Sequence, residues 1–113
     1  MSQTAMDAAA FTEMKELMGD TFKEVVTMCL QSLPEQSDLL ETAISNDDAE
    51  QVFNIAHRLK SSCGSIGAFG LAEKAEIIEQ IGRQGSTQGA HEAFSALRSS
   101  LEEVLTVLKQ EIS

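Results

Sequence analysis

The chain has few of the residues that build sheets and aromatic cores. Its 113 residues include no Trp, no Tyr, five Phe and one Pro. Strands are enriched in aromatic and β-branched residues, and proline disrupts helices, so this composition favours helix almost throughout. The length suffices for one hydrophobic core. We therefore expect one all-α domain over residues 1–113, with its core at about 7–112.

Basic residues are also scarce, with 8 Lys and Arg against 18 Asp and Glu and a net charge of -10. Binding to nucleic acids or to anionic membranes depends on clustered Lys and Arg, so we expect neither as a partner. No apolar run approaches the ~20 residues that span a bilayer. The first ten residues lack the basic residue and the apolar stretch of a signal peptide. The sequence predicts a cytoplasmic protein.

The two cysteines are far apart in the sequence. Cys29 and Cys63 each lie in an apolar-periodic stretch, and neither has a second metal ligand at close spacing. We interpret both as small core residues, while a disulfide or a zinc site remains an alternative.

Helix signals begin near the N-terminus with a short helix. Asp7 is its predicted start and Gly19 its end, and Asp20 is the predicted N-cap of the next helix. Apolar residues keep one phase on both sides of Pro34, which leaves open whether this proline kinks one long helix or separates two. The apolar positions of that segment are Phe22, Val26, Cys29, Leu33, Leu40, Ala43 and Ile44.

The remaining segments predict three further helices. Asp47 and Glu50 have the spacing of a capping box, so the next helix begins near Asp48. Its buried stripe consists of Val52, Ala56, Leu59 and Cys63. The glycines expected to end this helix are Gly64, Gly67 and Gly70.

A fourth helix is predicted from about Leu71 to Ile81, closed by Gly82 and Gly85. The last helix has a heptad-like apolar series, which consists of Phe94, Leu97, Leu101, Val104, Leu108 and Ile112. Stripes this narrow need partners, and short turns make successive helices antiparallel neighbours. The expected fold is an antiparallel up-and-down four-helix bundle with a short N-terminal capping helix.

His57 is the candidate for chemistry. At roughly 100° per residue it lies roughly 120° from the centre of the buried stripe, so it faces outward. Its neighbours on the helix surface are Phe53, Lys60, Ser61 and Gly64. A neutral imidazole is a competent nucleophile, and Lys60 supplies positive charge for an anionic group on its nitrogen. His91 has no lysine three residues on and no strip of small residues, so we interpret it as a surface histidine.

The segment Ala56-His57-Arg58-Leu59-Lys60, with the small residues Ser61 and Ser62 and then Gly67-Ala68 and Leu71, resembles the signature of histidine-containing phosphotransfer (HPt) domains. These domains are intermediates of multi-step two-component phosphorelays. The resemblance extends over roughly Asp7 to Ile112. It implies that His57 accepts and donates a phosphoryl group and that Lys60 stabilises this group.

The resemblance also implies a partner-binding surface. The residues assigned to it are Phe53, Arg58, Ser61, Gly64, Glu79 and Arg83. Glu79 stands where some members have a glutamine that hydrogen-bonds the active imidazole. A carboxylate there can raise the pKa of the ring or repel a phosphoryl group, so its role stays open. Arg58, Lys60, Lys74 and Arg83 can form a positive patch that steers association, and the alternative for Arg58, Lys74 and Arg83 is an ordinary solvated face.

The implied partners are receiver domains of a hybrid sensor kinase and of a response regulator. The receiver supplies Mg²⁺, while this chain binds no cofactor, lacks kinase activity and is a monomer. Two alternatives remain, an adaptor bundle and the C-terminal module of a larger hybrid kinase, although Met1 and the full set of helices favour a free-standing protein. The phosphoacceptor helix pair of a sensor kinase is disfavoured, because Arg58 and Ser62 stand where that family has an acidic residue and a proline.

Overall fold

The computed structural model describes residues 5–112, and this part of the chain is helical with no strand. The elements are α1 (Ala8–Met18), a 3₁₀ turn (Gly19–Thr21), α2 (Phe22–Ser45), α3 (Ala49–Ser65), α4 (Phe69–Arg83) and α5 (Ala90–Ile112). The predicted all-α class is confirmed.

The four long helices form a ring in which each helix contacts two neighbours. The packed pairs are α2 with α3, α3 with α4, α4 with α5, and α5 with α2, and within residues 5–112 the backbones of the diagonal pairs do not approach each other closely. At one end the Thr87 hydroxyl donates to the Asp47 carboxylate at 2.8 Å and joins the α4–α5 loop to the α2–α3 turn. The predicted antiparallel four-helix bundle is confirmed.

α1 covers the opposite end of the bundle. The Asp7 carboxylate accepts from Ala10 N at 2.9 Å and caps the helix, while Asp7 N donates to the Gly67 carbonyl at 2.9 Å. Phe11 is buried edge-to-face against Phe22, with ring centroids 5.2 Å apart. The predicted capping helix is thus tied to the α3–α4 loop and to the start of α2.

The core fills the centre of the ring with aliphatic side chains from all four long helices. Its largest fully buried apolar members are Leu33, Leu40, Ile44, Leu59, Ile66, Leu71, Ile78, Leu97, Leu108, Val26 and Val52. Pro34 lies inside α2, which continues through it as one helix. Cys63 is fully buried, Cys29 is half-buried and both are free thiols. Burial, together with the neighbouring Cys29, raises the pKa of Cys63 to about 12.

Two predicted helix caps are wrong. The 3₁₀ turn leads directly into α2, which begins without a side-chain cap, so Asp20 does not cap it. At the start of α3 the cap is Asp48, whose carboxylate accepts from Gln51 N at 3.2 Å, rather than Asp47. Asp47 has a φ of 54°, and its carboxylate accepts a hydrogen bond from the Thr87 hydroxyl, so the side chain stabilises the turn and does not cap α3.

Three glycines assigned to helix ends lie inside helices. Gly64 belongs to α3, and Gly70 and Gly82 belong to α4, which begins at Phe69 and ends at Arg83. Gly67 and Gly85 do form the turns, with φ values of 80° and 75°. At the C-terminal end Ile112 is exposed, so the predicted apolar series of the last helix is buried only as far as Leu108.

Candidate functional site

His57 lies in the middle of α3 with 54% of its side chain exposed, which confirms its outward orientation. The inward residues Ala56 and Leu59 are fully buried and fix the rotation of the helix. His57 Nδ1 lies 2.9 Å from Glu79 Oε2 on α4. A carboxylate accepts hydrogen bonds, so Nδ1 carries the proton in this pair. The neutral ring then has its lone pair on Nε2.

Glu79 is buried beneath the imidazole, with a relative exposure of 2%. Its second oxygen, Oε1, lies 2.7 Å from Lys60 Nζ. Burial acts to raise the pKa of this carboxyl, but the hydrogen bonds from Lys60 and His57 and the lysine charge outweigh it and hold the pKa below its ordinary value. Glu79 is therefore ionised at neutral pH. Its assignment to the partner-binding surface is wrong, since a buried carboxylate offers no surface to a partner.

Gly82 allows α4 to approach α3 closely enough for this pairing. A Cβ at this position would lie 2.7 Å from Phe53 N and 2.9 Å from the Ala49 carbonyl oxygen. Both atoms belong to the α3 backbone, which cannot move aside as a flexible side chain does. Gly82 lies three residues after Glu79, so the close contact and the buried carboxylate share one face of α4.

Phe53 and Arg83 stack in sequence beside His57, on the side toward the start of α3. The rings of His57 and Phe53 are nearly parallel, with centroids 6.0 Å apart and an interplanar angle of 16°. The Arg83 guanidinium carbon lies 5.6 Å from the centroid of Phe53. Phe53 is half-buried, and Arg83 is exposed. This stacking supports the imidazole from its N-terminal side.

The remaining predicted surface residues lie on the exposed side of α3. Arg58, Ser61 and Gly64 are all exposed. A Cβ at Gly64 would meet no atom within 4 Å, so this part of the helix is open to an approaching protein. Their partner-binding role stays a prediction.

The structure divides the predicted positive patch. Lys60 pairs with Glu79, and the cavity beside it is lined by Lys60, Phe69, Ala72, Glu73 and Glu76. Arg83 lies instead in a cavity with Glu50, Phe53 and Gly82. Positive charge near His57 is therefore confined to particular positions and does not form a uniform basic surface.

Sequence reasoning located His57 and Lys60, and the resemblance placed Glu79 near the imidazole, but it missed the burial of Glu79, its contact with Lys60 and the role of Gly82. The available signal was their spacing: Glu79 lies one residue after the inward Ile78, and a glycine follows three residues later. This spacing does not reveal which atoms of α3 they meet.

Comparisons with known proteins identify the family. The family model for the Hpt domain matches residues 24–107, and the chain belongs to that family. It is accordingly a phosphotransfer domain of the kind used in phosphorelays.

Two solved structures share the fold. Histidine-containing phosphotransfer protein B (HptB) from Pseudomonas aeruginosa PAO1 superposes with a TM-score of 0.90 at 24% identity, covering 97% of this chain and 96% of that chain. A rice protein assigned as a histidine-containing phosphotransfer protein gives 0.78 at 22% identity, with 98% and 88% covered. A comparison with curated protein sequences found no match.

Residues 5–112 lack membrane-spanning helices and clusters of metal ligands. Over residues 5–112, no helix has the length and hydropathy needed to cross a membrane. The same residues contain no group of three His, Cys, Asp or Glu side chains arranged to hold a metal ion.

Proposed function

We propose that His57 accepts a phosphoryl group from the aspartyl phosphate of a hybrid sensor kinase receiver domain and passes it to the receiver aspartate of a response regulator. One observation carries the proposal. His57 is exposed for contact with a partner, while its Nδ1 is held by a buried, ionised carboxylate. An incidental surface histidine has no need of such a partner.

The hydrogen bond to Glu79 decides which nitrogen reacts. With the proton on Nδ1, the Nε2 lone pair attacks phosphorus, the N–P bond forms, and the P–O bond to the receiver aspartate breaks. The aspartate leaves as a carboxylate with the bonding electrons. The phosphorylated ring retains its Nδ1 proton and carries positive charge, which the Glu79 carboxylate compensates. The reverse sequence delivers the group to the second receiver.

Lys60 contributes a cation held by the same carboxylate that holds the imidazole. Its ammonium is anchored on Glu79 Oε1 at 2.7 Å and remains partly exposed, with 31% of the side chain accessible. An ammonium in this place attracts the phosphoryl oxygens as charge develops on them. The buried carboxylate thus positions both the nucleophile and the cation.

The receiver supplies the rest of the chemistry in this proposal. Its phospho-aspartate is the donor, and its Mg²⁺ neutralises charge on the transferred group. This chain acts as a phosphocarrier without ATP or a bound cofactor of its own. The chemistry is the same for a free-standing protein and for the C-terminal module of a larger hybrid kinase. Monomeric state and cytoplasmic location stay predictions.

The direct test uses receiver domains phosphorylated by a small-molecule phosphodonor, with Mg²⁺ present. Wild-type protein is expected to gain an acid-labile, alkali-stable phosphoryl group, and peptide mapping is expected to locate it on residue 57. Phosphate on a hydroxyl side chain would contradict the proposal. Absence of transfer from every receiver in a broad panel would favour an adaptor bundle.

A further inference from the structure

Two cavities lie at the α3–α4 seam, one beside residues that precede His57 on α3 and one beside Lys60, which follows it, and the charges that line them differ. The first cavity, of about 250 Å³, is lined by Glu50, Phe53, Gly82 and Arg83. The second cavity, of about 340 Å³, is lined by Lys60, Phe69, Ala72, Glu73 and Glu76. We call these the Arg83 cavity and the Lys60 cavity.

The Lys60 cavity is named after a lysine, but carboxylates outnumber cations in its lining. The lysine ammonium lies 2.7 Å from Glu79 Oε1, and Lys60 brings one positive charge to a lining that also holds the carboxylates of Glu73 and Glu76. Glu73 and Glu76 are exposed, and neither belongs to an ion pair found within residues 5–112. Two carboxylates therefore remain available at the rim.

The floor of the same cavity is apolar. Phe69 is 38% exposed, although a phenylalanine ring is normally covered, and Ala72 beside it is half-buried. A side chain that suits this cavity has a long aliphatic stem to cover the ring and a cationic head to reach the carboxylates. Lysine and arginine have this construction, and arginine also stacks on aromatic faces. An acidic side chain is repelled by the rim.

Continuity with the phosphoryl-transfer site identifies the protein that supplies the side chain. Lys60 belongs both to the site and to this cavity, so a domain that brings its aspartate to His57 Nε2 also covers the cavity. We propose that the receiver partner inserts a lysine or arginine into the Lys60 cavity, between Glu73 and Glu76. This inference rests on the proposed function. It adds that a positive charge on the receiver selects one receiver over others and fixes the orientation of the bound receiver.

The test compares two doubly charge-reversed variants. Glu73→Lys/Glu76→Lys alters the cavity, and Glu102→Lys/Glu103→Lys makes the same change in net charge on α5. The control positions are exposed, do not line the Lys60 cavity and lie on α5, which is diagonal to α3 in the bundle. Phosphoryl transfer from a panel of phosphorylated receiver domains is measured at several salt concentrations, and circular dichroism verifies the fold of each variant.

At low salt the cavity variant is expected to slow transfer from its preferred receiver about tenfold, and the control to change it less than twofold. The difference shrinks as salt rises. Reversing the matching basic residue on that receiver restores the rate. Equal effects of the two variants, or a cavity variant as fast as wild type, overturn this inference alone. A wild-type protein that accepts nothing from any receiver overturns the proposed function as well.

Discussion

The two histidines of this chain occupy different environments, although both lie exposed on helices. His57 stacks on Phe53 and gives its Nδ1 to a carboxylate that is 2% exposed. His91 lies near the start of α5, and in residues 5–112 its side chain enters no ion pair or ring contact that we identify. A surface imidazole gains a fixed tautomer and a compensating charge only when a second helix places a buried acid beneath it.

The same contrast separates the α3–α4 seam from the rest of the bundle. Elsewhere the buried contacts between the long helices are mainly aliphatic, and the polar link between α2 and α5 is the exposed pair Arg98–Glu41 at 3.4 Å. Exposed pairs of this kind contribute little to stability. At the seam, close backbone approach and a buried ionised group coexist within one turn of helix. The proposed phosphoryl-transfer site thus lies where the α3 and α4 backbones leave no room for an added side chain.

The largest expected effect comes from exchanging the two histidines for glutamine one at a time. His57→Gln should abolish phosphoryl transfer, because glutamine offers no nucleophilic ring nitrogen, while His91→Gln should stay within about twofold of wild type. Labelling with phosphorylated receivers measures both, and melting curves show whether each variant folds. Equal labelling of the two variants would remove His57 from the mechanism.

Gly82→Ala should disrupt the close packing of α4 against α3 without changing a reactive group. The added methyl meets the α3 backbone at under 3 Å, so we expect a loss of about 1–3 kcal/mol in unfolding free energy and slower transfer as Glu79 shifts. Gly64→Ala is the matched control. It has open space and lies in a helix, so it should stabilise by about 0.5–1 kcal/mol. Urea denaturation gives both values, and a neutral Gly82→Ala would show that α4 does not need this close approach.

Lys60→Ala tests whether the site needs the exposed cation. We expect phosphoryl transfer to slow by about tenfold while helical content is unchanged, because one electrostatic contact to the transferred group is lost. Lys74→Ala, on α4 and in no ion pair with Glu79, is the control and should leave the rate unchanged. Stopped-flow measurement of transfer under single-turnover conditions separates the two. An unaltered rate in Lys60→Ala contradicts the role assigned to this lysine.

The smallest expected change comes from Glu79→Gln, which keeps an oxygen acceptor for Nδ1–H but removes the charge. Transfer should slow several-fold, and unfolding free energy should fall by about 1–2 kcal/mol at neutral pH. Because the folded-state pKa of Glu79 is lowered, its contribution is complete above about pH 4.3, the ordinary glutamate value, and is lost as pH falls through the lowered pKa.

The pH dependence supplies the decisive readout for Glu79. The stability difference between wild type and Glu79→Gln should be constant near neutral pH and should close in acid, which urea denaturation across a pH series measures. Glu76→Gln, an exposed carboxylate on the same helix, serves as control. A difference that grows as pH falls would mean that Glu79 is protonated in the folded protein.

The elements were predictable from sequence because their signals are local. Apolar spacing located all four long helices, and one phase across Pro34 already allowed the single helix that α2 proves to be. The errors are of another kind. Gly64, Gly70 and Gly82 were interpreted as helix ends, but they lie inside helices. The sequence does not distinguish the two kinds of glycine, because they differ only in the atoms that pack against them.

The site was predictable on one helix only. Periodicity placed His57 outward, and its spacing to Lys60 set both on one surface of α3. The family resemblance placed Glu79 near the imidazole and assigned it to the partner surface, but its burial depends on the two donors that α3 brings to it and could not be predicted. The direction of its pKa shift follows from those same donors and was therefore not available from the chain alone.

The sequence by itself determined the helices, the face that each buries and the outward position of His57, since these depend on neighbours three or four positions apart. The tertiary structure decided that Glu79 meets His57 and Lys60, and that Glu73 and Glu76 share a cavity with Phe69. These relations join side chains on different helices at distances of a few ångströms. The packing of α4 on α3 sets such distances, and Gly82 is the point where the two backbones come close enough for it.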